Sequence, residues 1–513
     1  MNRKRILGFL FAFTLVAISV LYVLANRTIT KIFGGRTTEV VSASFLPEVV
    51  PTLINNIHLL SPDGESFIPQ QSILLQDGLI VAIDSVLEAP EGATVIDGTG
   101  KFLIPGLIDS HVHLYQSPND LLLYLANGVT EIREMDGRDP HLRWREEVAA
   151  GLRAGPDMYL ASPRTGSFDR LEGWFIHWTQ GMRVINDRED AQELVDEMAA
   201  KGYDGIKIYS QLSKEAYAAI NELAPAAGLD VLGHIPFTLE LETLLQSNQR
   251  EVAHLEELMR PTLTAVGGPA GIKDQAGADA FLSLVEERME EAAPRLAERG
   301  IAVTTTLWLM ESFVRQLFDL EQLLSEVELA YENPGFSEWQ EQIPGLGWLP
   351  KVNRYKNRFG LNKTPQEQAE LTYFWTAYAD GCRTILSTLH ANGVTILAGT
   401  DANVPVAVPG FSLHDEMRSM HRVGMTPRAV LQSATRLPGE WLGRRTGSLR
   451  EGYKANVVVL AENPLLDINH TRGIQAVIAN GRYFDRATLD EMLRAVKAAN
   501  DASRTIDIKP YVE

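Results

Sequence analysis

The chain has one cysteine, Cys382, in 513 residues, so it forms no internal disulfide and its cysteine usage does not identify a redox compartment. Positive charge is also scarce, since 47 basic against 66 acidic residues give a formal net charge of -19. An acidic surface repels the phosphates of nucleic acid and of anionic lipid, which argues against both as electrostatic partners. The remaining composition, 45% apolar and 22% charged, is typical of a globular protein.

A long apolar run occurs at the N-terminus, over residues 6–25, directly after three basic residues at positions 3–5. About 20 helical residues at roughly 1.5 Å each match the ~30 Å hydrocarbon core of a membrane. We therefore expect residues 1–27 to form a membrane-spanning signal anchor. The alternative is a cleaved signal peptide, because the sequence VLA before Asn26 offers a cleavage site. In both cases the positive-inside rule places the rest of the chain on the non-cytoplasmic side, in the periplasm or outside the cell.

Two blocks rich in short β-prone runs flank the rest of the chain, after a linker over residues 28–49. The first block spans residues 50–104 and contains turn signals at PDG, position 62, and DG, position 77. The second block, with the tail, spans residues 437–513. This arrangement predicts a small β-sandwich assembled from both termini.

Between these blocks, over residues 105–436, β-prone runs alternate with helical patterns, as in a parallel sheet with crossover helices. Eight such runs predict an α/β fold with a (β/α)8 TIM barrel, whose chemistry lies at the C-terminal ends of the strands. The predicted strands are residues 103–111, 129–135, 157–161, 205–209, 229–234, 251–254, 301–307 and 394–399.

Polar residues that are unusual in buried strands occur at these ends. In LIPGLIDSHVHLY the two histidines are one residue apart, and in a strand such residues point into the same space. Each residue alone has a plain explanation, such as a hydrogen-bonded core histidine or a helix N-cap. Together, at one end of a barrel, they predict a metal site. The set is His111, His113, Lys207, His234, His254 and Asp401.

The order of these residues on successive strands resembles the amidohydrolase superfamily, over about residues 53–482. The segments PGLIDSHVHL, ANGVTEIREM, GIKIY, GTDA and GSLREGYKANVVVLAENPL are similar to its imidazolonepropionase-like branch, which includes Xaa-Pro and Xaa-Arg/Lys dipeptidases. The resemblance implies an enzyme that hydrolyses an amide carbon–nitrogen bond of a small molecule, such as a dipeptide or an N-acyl amino acid. Dipeptidases of this branch carry a GGHGD-like loop after the third strand. This chain has TGSFDRLEGW there, which leaves dipeptide specificity open.

The resemblance also implies a centre of two divalent metals with a bridging hydroxide that attacks the substrate carbonyl. Lys207 would be carboxylated and would bridge the metals as a carbamate, a reaction that burial of a neutral amine favours. Asp401 would be catalytic by moving the hydroxide's proton to the leaving nitrogen. Zinc suits these ligands best, with manganese, cobalt or iron as alternatives. The implied ligands are His111, His113 and Asp401 for one metal and His234 and His254 for the other.

Three residues near the predicted site are candidates for substrate contacts. Tyr115 follows the histidine pair, and Tyr209 is two residues beyond Lys207. Tyr209 would hydrogen-bond a carbonyl or carboxylate, or would only pack the barrel mouth. Arg164, after the third predicted strand, would neutralise a substrate carboxylate. For Arg133, within the second predicted strand, a structural ion pair inside the barrel is as good an interpretation as a contact with the substrate.

An insertion at about residues 310–390 separates the seventh and eighth predicted strands by roughly 85 residues, far more than a helix and loops need. Its segment YENPGFSEWQEQIPGLGWLPKVNRY is rich in proline, glycine and aromatic residues, which favours an ordered lid. The alternative is a contact in a homo-oligomer. His177, in GWFIHW, is a further histidine whose distance from the site is of interest.

Two alternative functions stay open from the sequence. Metal–hydroxide chemistry is not selective for amides, so a lactone, ester or phosphotriester hydrolase on the same metal centre is the alternative enzyme. A catalytically silent, anchored binding domain is the alternative outside the enzymes. Inactive relatives usually lose a metal ligand, whereas all six positions are filled here.

Overall fold

The structure is a computed structural model that describes residues 3–338, 347–353, 355–360 and 363–512. For residues 3–10 it describes only the helical backbone. Within these ranges the chain forms seventeen α-helices and eighteen strands, with short 3-10 and π turns between them.

The strands divide into those of one large mixed sheet, at both ends of the chain, and those of two parallel sheets in the middle. In chain order the strands are β1 (Thr52–Leu60), β2 (Phe67–Gln76), β3 (Leu79–Asp84), β4 (Thr94–Asp97), β5 (Phe102–Pro105), β6 (Leu107–Val112), β7 (Val129–Glu134), β8 (Asp157–Leu160), β9 (Thr165–Gly166), β10 (Arg183–Val184), β11 (Gly205–Ile208), β12 (Asp230–Gly233), β13 (Gln249–Ala253), β14 (Ala302–Thr304), β15 (Ile396–Leu397), β16 (Val457–Leu460), β17 (Ile474–Ala479) and β18 (Arg482–Asp485).

Helices follow most of the middle strands, and several lie between β14 and β15. In chain order the helices are α1 (Arg3–Ile32), α2 (Asp120–Ala126), α3 (Asp139–Ala149), α4 (Arg170–Gln180), α5 (Arg188–Lys201), α6 (Lys214–Ala226), α7 (Leu241–Leu245), α8 (Glu256–Ala265), α9 (Gln275–Arg299), α10 (Leu307–Phe318), α11 (Leu320–Glu326), α12 (Pro334–Ser337), α13 (Pro365–Ala391), α14 (Phe411–Arg422), α15 (Pro427–Ser433), α16 (Arg436–Leu442) and α17 (Arg486–Ser503).

Both ends of the chain contribute to the large sheet of eight strands. Its order is β18, β17, β16, β5, β1, β2, β3, and β4 pairs with β1. The two ends meet where β5 runs antiparallel to β16, with Pro105 opposite Val457. The strands from the two ends therefore lie in one sheet, and the sandwich predicted from them stays a prediction.

The predicted strand over residues 103–111 is divided into β5 and β6, which belong to different sheets. Gly106 lies between them, and its amide donates to the carbonyl oxygen of Asn456 at 2.8 Å. A Cβ atom at Gly106 would lie 1.9 Å from Oγ1 of Thr130, so only glycine fits this close approach. The prediction of one strand was wrong because the apolar run continues through a backbone break that its side-chain pattern does not reveal.

The parallel strands form a sheet of three, β6, β7 and β8, and a sheet of seven, from β9 to β15. The two sheets touch at both sides. Ala161, after β8, forms a parallel bridge with Gly205, and Val112 forms one with Ala402, after β15. Ser110 N also donates to Ala398 O at 2.9 Å. This α/β arrangement of parallel sheets brings the carboxyl ends of the strands to one side.

Helix α1 is apolar and exposed. Within residues 11–32, a window of 18 residues has a mean hydropathy of 1.6, and none of that window is buried against the rest of the chain. The helix is long and apolar enough to cross a membrane. Beyond its end the chain runs along the body, where Thr37 Oγ1 donates to Asn333 Oδ1 at 2.6 Å and Val40 N donates to Asn119 Oδ1 at 2.9 Å.

The insertion between β14 and β15 is largely helical and contains α10 to α13. The segment predicted as a lid covers residues 331–355, of which 339–346 and 354 lie outside the described residues. Its first part packs on the body, because Asn333 Nδ2 donates to Ser117 Oγ at 2.9 Å and to Gly34 O at 3.2 Å.

Candidate active site

The histidine pair at the end of β6 and Asp401 form the first part of the site. His111 is fully buried and His113 is 8% exposed. Oδ1 of Asp401 lies 3.0 Å from Nε2 of His113 and 3.5 Å from Nε2 of His111. The amide of Asp401 donates to the carbonyl oxygen of His111 at 2.9 Å, which holds the loop after β15 against β6. One carboxylate oxygen thus faces both imidazoles.

His254 and His234 extend this cluster from the ends of β13 and β12. The ring centres of His254 and His111 are 4.5 Å apart, and those of His254 and His234 are 5.0 Å apart. Lys207, in β11, pairs with Leu232 in β12 and is 1% exposed. The structure therefore brings the six predicted residues to one place at the carboxyl ends of the parallel strands.

The donor set of this cluster fits a metal ion. Ligand atoms of His111, His254 and Asp401 all lie within 4.8 Å of one another. Both ring nitrogens of His111, Nδ1 of His113 and Nζ of Lys207 are buried and have no hydrogen-bond partner among the described residues. Buried polar atoms are normally paired, and imidazole nitrogen with carboxylate oxygen is the donor set of zinc sites.

The protonation states favour metal binding as well. Burial lowers the pKa of His254 to about 4, and burial followed by the charge of Lys207 holds the pKa values of His111 and His234 well below their usual range. These imidazoles are therefore neutral, which is the form that binds metals. Burial lowers the pKa of Lys207 to about 8, so its neutral amine is accessible near neutral pH.

The carboxylate of Asp401 stays ionised. Burial alone would raise its pKa, but the hydrogen bond from His113 and the positive groups around it lower the pKa of Asp401 to about 2. Burial would conversely lower the pKa of His113, yet its contacts with Asp401 and Glu134 raise it to about 9. The ionised carboxylates therefore favour binding of a cation in this buried part of the protein.

Neighbouring side chains fix the orientation of the imidazole rings. Nδ1 of His234 lies 2.9 Å from Ser210 Oγ and 3.0 Å from Glu257 Oε1. Nδ1 of His254 lies 2.9 Å from Thr306 Oγ1. Partners of this kind fix the orientation of each ring and leave its other nitrogen available as a ligand.

Sequence reasoning missed these partners, and it also missed Asp109 and Glu134. Glu134 is fully buried, accepts from the amides of Leu114 and Asp136, and lies 3.8 Å from Nδ1 of His113. Asp109 accepts from the hydroxyl of Thr400 at 2.8 Å. The available signal was the presence of acidic residues in strands that are otherwise buried, because such residues need a partner.

The three predicted substrate contacts border the same cluster. The rings of Tyr115 and His113 stack with centres 5.4 Å apart, and those of Tyr209 and His234 lie 4.5 Å apart. The guanidinium of Arg164 lies 5.1 Å from the centre of the Tyr209 ring, and its Nε lies 3.3 Å from Oδ2 of Asp136. Burial opposes the charge of Arg164, but Asp136, Tyr209 and Tyr115 together outweigh burial and raise the pKa of the guanidinium.

Two other residues singled out in the sequence have structural contacts. Nη2 of Arg133 lies 3.6 Å from Oε1 of Glu251, and its guanidinium stacks on Trp441 at 4.1 Å, so Arg133 forms a buried ion pair. Nδ1 of His177 bonds to the carbonyl oxygen of Met182 at 2.8 Å, near the end of α4. This hydrogen bond explains the position of His177, which therefore needs no role in the metal cluster.

Four residues at the site have left-handed backbone conformations. Tyr115, His254, Thr306 and Asp401 have φ angles of 47°, 76°, 51° and 57°. Such conformations cost of order 1–3 kcal/mol for residues other than glycine and persist where surrounding contacts enforce them. The loops that carry these side chains are therefore held in place by their packing.

The insertion closes one side of the site. The Phe336 ring in α12 lies 5.5 Å from that of Tyr115, which itself stacks on His113. Phe336, in the segment predicted as a lid, is thus separated from His113 of the cluster by the ring of Tyr115.

Comparison with known proteins identifies the family. The model of the amidohydrolase family matches residues 102–483, more than half of the chain. The chain therefore belongs to the amidohydrolase family, which confirms the resemblance seen in its motifs and the prediction of an amidohydrolase enzyme.

Curated relatives and solved structures agree with this assignment. N-acetylglucosamine-6-phosphate deacetylase of Lysinibacillus sphaericus is 24% identical over 286 residues, which cover 48% of this chain and 67% of that protein. A dihydroorotase of Citrifermentans bemidjiense is 33% identical over 104 residues, only 19% of each chain. A bottromycin amidohydrolase matches with a TM-score of 0.67 at 20% identity, covering 90% of this chain and 93% of that one. A Xaa-Pro dipeptidase with bound methionine matches with a TM-score of 0.58 at 19% identity, covering 85% of this chain and 100% of that one. At these identities the structures establish the fold alone.

Proposed function

We propose that the chain is a metal-dependent hydrolase that cleaves an amide carbon–nitrogen bond of a small molecule, such as a dipeptide or an N-acyl amino acid. The observation that carries this proposal is the buried cluster of His111, His254 and Asp401, whose ligand atoms lie within 4.8 Å of one another. Membership of the amidohydrolase family supports it, and so do relatives named as a deacetylase and a dihydroorotase.

In this proposal the parallel strands close into a (β/α)8 barrel over residues 105–436, with an accessory sheet from residues 50–104 and 437–513. The bridges from Ala161 to Gly205 and from Val112 to Ala402 support closure, because the first joins the end of β8 to β11 and the second joins β6 to the residues after β15. The proposed ring would consist of β6, β7, β8, β11, β12, β13, β14 and β15.

Six side chains would hold two divalent metals, for which zinc is the best match to the donor set. Bound there, the metals would supply an activated water nucleophile and a Lewis acid for the substrate carbonyl. Lys207 would bridge them as a carbamate, which its burial, its lowered pKa and the unpaired Nζ support. His111, His113 and Asp401 would hold one metal and His234 and His254 the other.

The chain's own residues would move the proton and position the substrate. The side chain of Asp401 is 15% exposed and its carboxylate stays ionised. Asp401 can therefore accept a proton and deliver it to the leaving nitrogen. Arg164 would attract a substrate carboxylate, and Tyr209, beside it, would hydrogen-bond the substrate. Tyr115, under Phe336, would contact the substrate on the side of the insertion and help to exclude water.

We propose further that α1 anchors the enzyme in a membrane with the catalytic part on the non-cytoplasmic side. The exposed apolar residues of α1 and the basic residues at positions 3–5 support this orientation. A cleaved signal peptide would instead yield a secreted enzyme.

The test is a substrate screen on the full chain loaded with zinc and bicarbonate. N-acyl amino acids, dipeptides, lactones, carboxylate esters and phosphotriesters are compared by kcat/KM, with the His254→Ala variant as the control for contaminating hydrolases. We expect the highest values for a class of amide, lost in the variant. Turnover confined to lactones, esters or phosphotriesters would contradict the amide proposal and favour the alternative enzyme.

A further inference from the structure

Helix α4 presents an exposed apolar face. Leu171, Trp174 and Phe175 are 81%, 63% and 53% exposed, and with Trp178 they have the i, i+3, i+4, i+7 spacing of one helical face. The opposite face packs on the body, where a Cβ at the buried Gly173 would lie 3.1 Å from Val184. Exposed aromatic side chains grouped in this way indicate an interaction surface.

This face is continuous with α1 at the end of its apolar run. The rings of Tyr22 and Trp178 stack with centres 5.7 Å apart and planes 13° apart. Nε1 of Trp178 donates to Oδ1 of Asn26, the first polar residue after the run, at 3.0 Å. Trp174 stacks on Trp178 in turn at 5.6 Å. The aromatic face therefore meets α1 at the level where its apolar side chains give way to polar ones.

We infer that the face formed by Leu171, Trp174, Phe175 and Trp178 lies in the headgroup region of the bilayer that α1 crosses. Tryptophan and tyrosine favour this region because one end of each ring system is apolar and the other forms hydrogen bonds. A helix with one apolar face binds there in the plane of the membrane. The inference rests on the proposed membrane span of α1.

Local charge fits the same partner. The whole chain has 66 acidic residues, yet residues 1–38 contain none. Arg27, Lys31 and Arg36 follow the apolar run and are placed to meet lipid phosphates. The acidic surface of the rest of the chain would be repelled by those phosphates, so α4 and the end of α1 form the surface suited to the bilayer.

The same elements border the active site. Phe33, just after α1, lies 5.2 Å from the Tyr115 ring, and its carbonyl oxygen accepts from the Gln116 amide at 2.9 Å. Arg138 donates to the carbonyl oxygen of Gln180 at the end of α4 and to Asp136, which also binds Arg164. Docking of α4 therefore holds the Tyr115 and Arg164 side of the site next to the membrane surface.

A probe attached to α4 tests this inference. Cys382 is the only cysteine and is fully buried, so a cysteine introduced at the surface can be labelled selectively. Leu171→Cys is labelled with the fluorophore NBD, and Phe175→Cys gives a second position on the same face. Val86→Cys is the matched control, because Val86 is 80% exposed and lies in the loop after β3, an edge strand of the large sheet.

Each labelled full-length chain is reconstituted into phosphatidylcholine vesicles with or without spin-labelled lipid as quencher. We expect strong quenching and a blue shift of NBD at positions 171 and 175, and neither at position 86. Equal quenching at all three positions, or none at 171 and 175 in chains that float with the vesicles, would overturn the inference while leaving the anchor proposal intact.

Flotation of the vesicles distinguishes the anchor proposal for α1 from the inference about α4. Chains that do not float with the vesicles would contradict the anchor proposal, and the inference would fail with it. A second copy of the chain is the other occupant that this face could accept. Disulfide-linked dimers of Leu171→Cys in vesicles, together with absent lipid quenching, would assign the face to self-association and contradict the lipid assignment.

Discussion

At the scale of single residues, Lys207 is the most unusual feature of the site. Its amine is buried, its pKa is lowered to about 8, and Nζ has no hydrogen-bond partner among the described residues. A lysine retained for packing alone would extend to solvent or pair with a carboxylate. Its environment instead suits conversion to an anionic ligand.

Lys207→Ala should therefore lose both metal and activity, the latter by at least about 10²-fold, since even partners one step outside a metal's ligands cost 10–100-fold. Short carboxylic acids should restore part of both, because they supply oxygen ligands in the gap. Lys201→Ala, at a surface lysine paired with Asp139 and Glu197, is the matched control and should behave like the native chain. Full activity of Lys207→Ala without added acid would show that the lysine is structural.

Arg164 tests recognition separately from chemistry. Its guanidinium lies beside Tyr209 and Asp136 at the edge of the cluster. Arg164→Ala should raise KM for substrates with a free carboxylate and leave kcat little changed, since loss of a uniform binding contact affects KM alone. Neutral amides should be spared. Equal effects on charged and neutral substrates, measured by steady-state kinetics, would refute carboxylate recognition.

Strand alternation is enough to predict from sequence that His111 and His113 face one space. The ring partners Ser210, Glu257 and Thr306 could not be predicted in the same way, because nothing in the local pattern marks them. Each reaches a histidine on another element, at 2.9 to 3.0 Å, only after the chain has folded.

At the scale of secondary structure, the junction between β5 and β6 is the most constrained point. The chain passes there from the large sheet into the parallel strands, and Gly106 packs directly against Thr130. Overpacking of this kind costs typically 1–3 kcal/mol.

Gly106→Ala should therefore destabilise the enzyme by about 1–3 kcal/mol, seen as a lower midpoint of thermal unfolding in detergent. Thr130→Ala should relieve part of this cost in the double variant, because it removes Oγ1 and Cγ2, which lie nearest to the added methyl group. Additive effects of the two changes would contradict a direct clash, since coupled neighbours deviate from additivity.

The same junction shows what sequence patterns resolve at this scale. Eight β-prone runs coincide with eight of the ten parallel strands, because buried parallel strands are continuously apolar, and the two-residue strands β9 and β10 were missed. Their boundaries are less certain, since the apolar run over residues 103–111 hides a change of sheet. That change depends on the fit of Gly106 against Thr130 and Asn456, which residue spacing does not encode.

At the scale of the whole molecule, the orientation proposed for α1 in a membrane rests on the basic residues that precede its apolar run. The basic residues at positions 3–5 precede the apolar run, so the catalytic part should face away from the cytoplasm. Protease added to sealed spheroplasts should digest this part while a cytoplasmic marker stays intact. Protection of the catalytic part until the membrane is lysed would overturn this orientation.

Short β-prone runs and turn signals predict from sequence a small β-sandwich assembled from both ends of the chain. The contact of α1 with α4 could not be predicted, because Asn26 and Trp178 are 152 positions apart and neither belongs to a recognisable motif. Exposed aromatic residues in a helix are a visible signal, but only the fold shows that they continue the surface of α1.

Metal stoichiometry tests the central claim, that the clustered side chains at the ends of the parallel strands hold a binuclear hydrolytic centre. The full chain is reconstituted with zinc and bicarbonate, freed of loose metal by gel filtration, and measured by elemental analysis beside the His254→Ala variant. We expect two zinc ions per native chain, fewer in the variant, and activity that falls with the loss of metal. One zinc ion or none in the native chain, or the same content in the variant, would contradict it.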